Sequence, residues 1–101
     1  MAAEFYKIFK FIIALCLFTI VIQAQQKKAD SEVLKNTALS HMQAGRYGEA
    51  IDQLNKYISQ NPQISDGYNY RAICFEKRSQ FEYARLDYRR AIAIENRDAN
   101  K

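Results

Sequence analysis

Residues 31–64 read SEVLKNTALSHMQAGRYGEAIDQLNKYISQNPQI, and residues 65–98 read SDGYNYRAICFEKRSQFEYARLDYRRAIAIENRD. The two stretches superpose without a gap at a spacing of 34 residues. Ala38 falls on Ala72, Tyr47 on Phe81, Ala50 on Ala84, Leu54 on Tyr88 and Ile58 on Ile92. A fixed period of this length marks a stacked helical repeat, in which each unit buries its apolar face against its neighbour. Arrays of this kind usually bind other proteins, so the period points to an interaction module before any chemistry is considered.

Each unit divides into two helices joined by a tight turn. In the first, Leu34, Ala38, His41 and Met42 recur at helical spacing, and Asp30-Ser31-Glu32 supplies cap candidates at its start. Gly45 ends that helix, because glycine accepts the left-handed backbone that helix termini need. A second helix follows over 47–60, with Ala50, Ile51, Leu54, Tyr57 and Ile58 on its inner face. Asn61-Pro62 stops it, since proline lacks an N–H and disfavours helix at the residue before it. The second unit repeats the plan. Asp66 is its cap candidate, and Tyr68, Ala72 and Phe75 face inward on its first helix. Phe81, Ala84, Tyr88, Ala91 and Ile92 form the expected inner stripe of the last helix. Ser79 stands where the first unit has Gly45, and Asn96 where it has Pro62.

These positions together resemble the tetratricopeptide repeat. The carriers are Leu34, Ala38, Gly45, Tyr47, Ala50, Leu54 and Pro62, then Tyr68, Ala72, Phe75, Phe81, Ala84, Tyr88 and Ala91. The resemblance covers about two thirds of the chain and implies an all-α fold. Two antiparallel helix-turn-helix repeats, 31–64 and 65–98, would stack as a short right-handed superhelix. Thr37 and Arg71 depart from the bulky apolar residue usual before the small one. Asp87 faces Arg71 across the helix pair, so an Arg71–Asp87 ion pair is expected, partly buried, with Thr37 and Gln53 as its uncharged counterpart.

The resemblance also implies a concave groove lined by the first helix of each repeat. It would be formed by Glu32, Lys35, Leu39, Met42 and Gln43, continued by Asp66, Asn69, Ile73, Glu76 and Lys77. Leu39, Met42 and Ile73 are the expected apolar contacts to a peptide or partner helix, with Lys35 and Lys77 steering it. The carboxylate clamp of some family members is not reproduced, because Leu39 and Tyr70 stand where asparagines are needed. Tyr70 falls off the inner stripe and is either a surface anchor or a partial cover for the neighbouring helix.

Residues 1–24 are a different physical object. Lys7 and Lys10 precede an apolar run over 11–22, and Ala24 offers a small residue at the exit. That order describes a secretory signal peptide. An uncleaved signal anchor is the alternative, although a spanning helix needs about 20 apolar residues. Either way the lysines hold the start in the cytoplasm and the repeats cross the membrane. Cys16 follows Leu15 within a continuing apolar run, which is not the setting of a lipid-modified cysteine. Residues 25–30 read as a polar linker and 99–101 as a tail. Similarity to small exported repeat proteins of Gram-negative-type bacteria implies the periplasm, the periplasmic face of the inner membrane, or secretion. Membrane association follows if the leader is retained.

No catalytic constellation, glycine-rich phosphate loop or metal-ligand spacing is present, so neither an enzyme nor a cofactor is expected. His41 is the single histidine and reads as structural. Cys74 reads as a small buried residue, or else as an exposed thiol able to link two chains. From Gln25 onward thirteen Lys and Arg face ten Asp and Glu, a surplus too mild to point to nucleic acid. The last helix carries Arg85, Arg89 and Arg90, a solvated face or a site for acidic lipid, glycan or peptide. Only Ala99, Asn100 and Lys101 follow the second repeat, so the outer side near Ala91, Ile92 and Ile94 is expected to be poorly covered. That edge gives two further readings, a partner surface or a contact between copies of the chain.

Overall fold

The computed structural model describes residues 2–101; Met1, the first residue of the expected leader, lies outside them. The described residues form four helices, α1 (Ala2–Gln43), α2 (Tyr47–Gln60), α3 (Ser65–Lys77) and α4 (Phe81–Ala99). The chain divides into two compact units, Met1–Asp30 and Ser31–Lys101. In the second unit the helices stack as pairs, an all-α arrangement of the helical-repeat kind.

The turn inside each pair is built the same way. After α1 the Gly45 amide donates to the Met42 carbonyl and the Arg46 amide to the His41 carbonyl, at 3.1 and 2.8 Å. After α3 the Ser79 amide donates to Glu76 and the Gln80 amide to Phe75, at 2.9 and 2.8 Å. Both are Schellman closures, which place the residue after the cap in the left-handed region. Gly45 has φ +77° and Ser79 has φ +60°. A side chain in that region costs about 1–2 kcal/mol, offset in part by the lower unfolded-state entropy of serine relative to glycine. Ser79→Gly is therefore expected to stabilise the fold by about 0.5–1 kcal/mol, seen as a higher urea midpoint at unchanged slope. A lower midpoint would contradict this account of the turn.

The small residues sit where the helices cross. Ala38 and Ala50 are fully buried, as is Ala72, and Ala84 is nearly so. Leu54 and Cys74 complete one cluster with Ala38 and Ala50. A second cluster joins Ile58 and Tyr68 to Ala91 and Ile94. Cys74 is thus sealed in the core, which excludes the exposed-thiol alternative, and burial pushes its thiol pKa up.

Several details differ from the sequence expectation. No cap forms at Asp30-Ser31-Glu32, because α1 runs helical from Ala2 to Gln43 and residues 25–30 are part of it. Ser31 is instead buried, donating to Gln60 Oε1 at 2.9 Å and accepting from Asn61 Nδ2 at 3.1 Å. The residue preceding α3 is Ile64, so Asp66 lies in the first turn rather than at the cap. Asn96 does not stop α4, which continues to Ala99. The buried stripe of α4 is Ala84, Asp87, Ala91 and Ile94. Phe81 and Ile92 are exposed, at 64% and 55%, so they leave the inner stripe, while Ala91 and Ile94 are covered rather than open. Drawing Asp87 inward toward Arg71 sets this rotation of α4.

Candidate functional site

The side chains of the proposed groove have unequal fates. On α1, Leu39 is half-buried and Gln43 exposed. Lys35 is held against Glu32 at 3.3 Å, and that hydrogen bond raises its ammonium pKa. Met42 packs against the Ala38–Leu54 cluster and is an extension of the core rather than a free groove contact. On α3, Ile73 is half-buried and Lys77 exposed. Asn69 donates to Glu95 on α4 at 3.4 Å, which ties it to the helix pair. Glu76 is exposed and lies beside Tyr88, whose phenol pKa is raised by burial and then by that carboxylate. Tyr70 is half-buried against the Ala38 cluster, a cover for its neighbour rather than a free anchor. Leu39 and Ile73, 34 positions apart, stay partly exposed on the first-helix face, among the exposed polar side chains Glu32, Gln43, Asp66, Glu76 and Lys77.

Arg71 and Asp87 meet across α3 and α4 in a two-pronged pair. Arg71 Nε lies 2.7 Å from Asp87 Oδ2, and Nη2 lies 2.7 Å from Oδ1. A parallel fork of this kind is the strongest geometry available to an arginine and a carboxylate. Asp87 is buried, and Arg71 is only partly exposed. The third arm, Nη1, donates to Asn55 Oδ1 on α2 at 2.8 Å. The guanidinium carbon also stands 5.9 Å from the ring centres of Tyr68 and Phe75. One side chain therefore fastens three helices, and its hydrogen bond to Asp87 raises its pKa further. Asn55 was not legible as a partner, since nothing in its surroundings along the chain distinguishes it from an exposed helix residue.

The three arginines of α4 are exposed but do not share one narrow face. Arg85 pairs with Glu82 at 2.6 Å. Arg89 stands one turn further on, and no ion pair or hydrogen bond engages its side chain among the described residues. Arg90 turns toward α3, with its guanidinium 5.9 Å from the Tyr68 ring. Exposed Tyr83 and Leu86 lie between these charges, and Tyr83 leans on Phe75 with ring centres 5.3 Å apart.

His41 is occupied locally. Its Nδ1 lies 3.1 Å from Arg46 Nε and 3.1 Å from Glu49 Oε2, a polar cluster that ties the end of α1 to the start of α2. Among the described residues no group of three or more His, Cys, Asp or Glu could hold a metal ion.

In the unit Met1–Asp30 the apolar side chains are exposed, among them Phe5, Phe9, Phe11, Leu15, Phe18 and Ile22. An 18-residue window of α1 has a mean hydropathy of 2.2 and none of it is buried, so by length and composition this helix can cross a membrane. A signal sequence near an N-terminus has the same character. No protein-family model matches this chain, and no curated protein matches it.

Proposed function

We propose that this chain is an exported protein-interaction module built from two tetratricopeptide-like repeats wound as a short right-handed superhelix. Its first helices, the C-terminal part of α1 and α3, bind an extended peptide or a partner helix. The observation that carries this reading is the pairing of Leu39 with Ile73. They occupy equivalent positions 34 residues apart, and both remain half-open while their neighbours Ala38 and Ala72 are buried completely. An apolar side chain repeated at one register along an array offers a partner two anchors spaced by the repeat itself. Gln43 and Lys77 provide a polar and basic rim one turn further along. Export is supported by the apolar run over 11–22 of α1, with Lys7 and Lys10 ahead of that run. The chemistry present gives no support to an enzyme, because the histidine is tied into a local cluster and the core thiol is sealed.

The test replaces the two anchors while leaving the core alone. Leu39→Glu with Ile73→Glu should keep the helical circular-dichroism spectrum and most of the melting temperature, since neither side chain belongs to the buried clusters and both reach solvent in part. Site-specific photo-crosslinking from positions 39 and 73 should yield the same discrete adduct in cells. Each glutamate should abolish the adduct formed from the other position, whereas Arg85→Gln should leave it in place. Adducts that persist in the glutamate variants would overturn the groove reading.

A further inference from the structure

We propose that the outer face of α4 is an interfacial surface that docks onto the anionic headgroups of a lipid bilayer. The buried stripe of α4 is Ala84, Asp87, Ala91 and Ile94. At 100° per residue, Arg85, Arg89 and Leu86 fall within roughly 100° of arc opposite it, while Arg90 and Tyr83 flank the stripe on the α3 side. This face combines the two ingredients of a helix that lies in a headgroup layer: arginines for the phosphates, and a large apolar side chain, Leu86, between them, with exposed Tyr83 at its edge. Tyr83 and Leu86 are 59% and 58% exposed. The single carboxylate near the centre of the arc is Glu82, held by Arg85 at an exposed site. A surface pair of that kind contributes little and yields readily to a phosphate. Among the described residues no ion pair or hydrogen bond engages the exposed Arg89 side chain, and Arg90 rests on an aromatic ring with its charge exposed.

Two observations favour a bilayer over an acidic protein as the occupant. The apolar residues are interleaved with the charges rather than gathered into a pocket, which suits a fluid surface with no fixed partner side chains. The same chain carries an exposed helix long and apolar enough to enter a membrane, which would hold the face at a high local lipid concentration. Neither observation depends on the groove of the first helices.

The chain contains no tryptophan, so Leu86→Trp gives a unique reporter on this face. The full chain carrying it is mixed with neutral phosphatidylcholine vesicles, or with vesicles containing phosphatidylglycerol, each bearing brominated acyl chains. The expected result is quenching of the reporter in the anionic vesicles only. Arg85→Gln, Arg89→Gln and Arg90→Gln together should lower the docked-to-free ratio on the order of 100-fold, since each arginine near such a surface contributes about fivefold. Raising the salt should weaken docking in the same direction. Asp52→Trp, an exposed site on α2, should stay unquenched in the same vesicles. Equal quenching in neutral and anionic vesicles, no quenching at Leu86→Trp, quenching at Asp52→Trp, or indifference to the three glutamines each overturns the proposal. Circular dichroism of every variant confirms that the helices are retained.

Discussion

Asp87→Ala is expected to destabilise the fold by about 3 kcal/mol, because it strands a charged guanidinium between helices that were packed around its partner. A domain of this size has a total stability of only about 4–10 kcal/mol, so the loss is a large fraction of what exists. In thermal denaturation it should appear as a fall on the order of 12–24 °C in Tm. The cost comes from the arginine left behind. Arg71 keeps its bond to Asn55 and its place against Tyr68 and Phe75, so it cannot swing into water without giving up those contacts. Two comparisons separate this account from a simple loss of contacts. Asp87→Asn keeps the shape and one acceptor but loses the charge, and should fall between wild type and alanine. Arg71→Met combined with Asp87→Leu removes both charges and should be close to neutral, because the desolvation of the pair offsets much of its attraction. If the double replacement were as damaging as Asp87→Ala, the uncompensated charge would not be the cause. The pair then has the character of a device that fixes how α4 is rotated against α3, more than a source of net stability.

That rotation shows where the sequence could be read and where it could not. The 34-residue period, with alanines in register, required helix pairs crossing at Ala38/Ala50 and Ala72/Ala84, and those four residues are at the buried crossings. Gly45 and Pro62 punctuated α2, whose limits are Tyr47 and Gln60. The last helix was harder, since its apolar residues surround it almost completely. Ile92 and Ile94 are equally apolar, and periodicity alone could not choose between them. The choice was made by Asp87, a charge that must face Arg71 and therefore carries Ile94 inward with it. The start of the first repeat was illegible for another reason. Residues 2–44 contain neither glycine nor proline, so nothing interrupts the helix at Asp30, and a cap motif without a break is only a helical sequence. On the proposed site, Leu39 and Ile73 could be placed from the register. The withdrawal of Met42 into the core and of Asn69 toward Glu95 could not, because each depends on a side chain arriving from another helix.

Gly67→Val is expected to cost about 3 kcal/mol, at the upper end of what overpacking does to a core, and Gly67→Ala about 1–2 kcal/mol. Helix propensity alone predicts the opposite sign for alanine, a gain of about 1 kcal/mol over glycine inside a helix. Geometry decides the matter. A Cβ on Gly67 would stand 2.7 Å from Ile58 Cγ1 and 2.9 Å from Tyr57 Cδ1. Neither atom is the free end of a flexible chain. Ile58 belongs to the core cluster with Tyr68, Ala91 and Ile94, and Tyr57 is buried as well. The second helix pair is thus seated on α2 through the absence of a side chain. Val33, the counterpart of Gly67 one period earlier, is 63% exposed and needs no such gap. Chemical denaturation of Gly67→Ala, Ile58→Ala and the double variant tests this directly. Ile58→Ala opens the space that the new methyl needs, so the alanine at 67 should cost less in that background, with a coupling on the order of 1 kcal/mol. Stabilisation by Gly67→Ala in the otherwise intact chain would mean that α3 is free to shift along α2. The spacing of Leu39 and Ile73 would then no longer be set by the stack. A cost that shrinks in the Ile58→Ala background would show instead that this one close approach fixes the register between α2 and α3, and with it the spacing of the two proposed anchors.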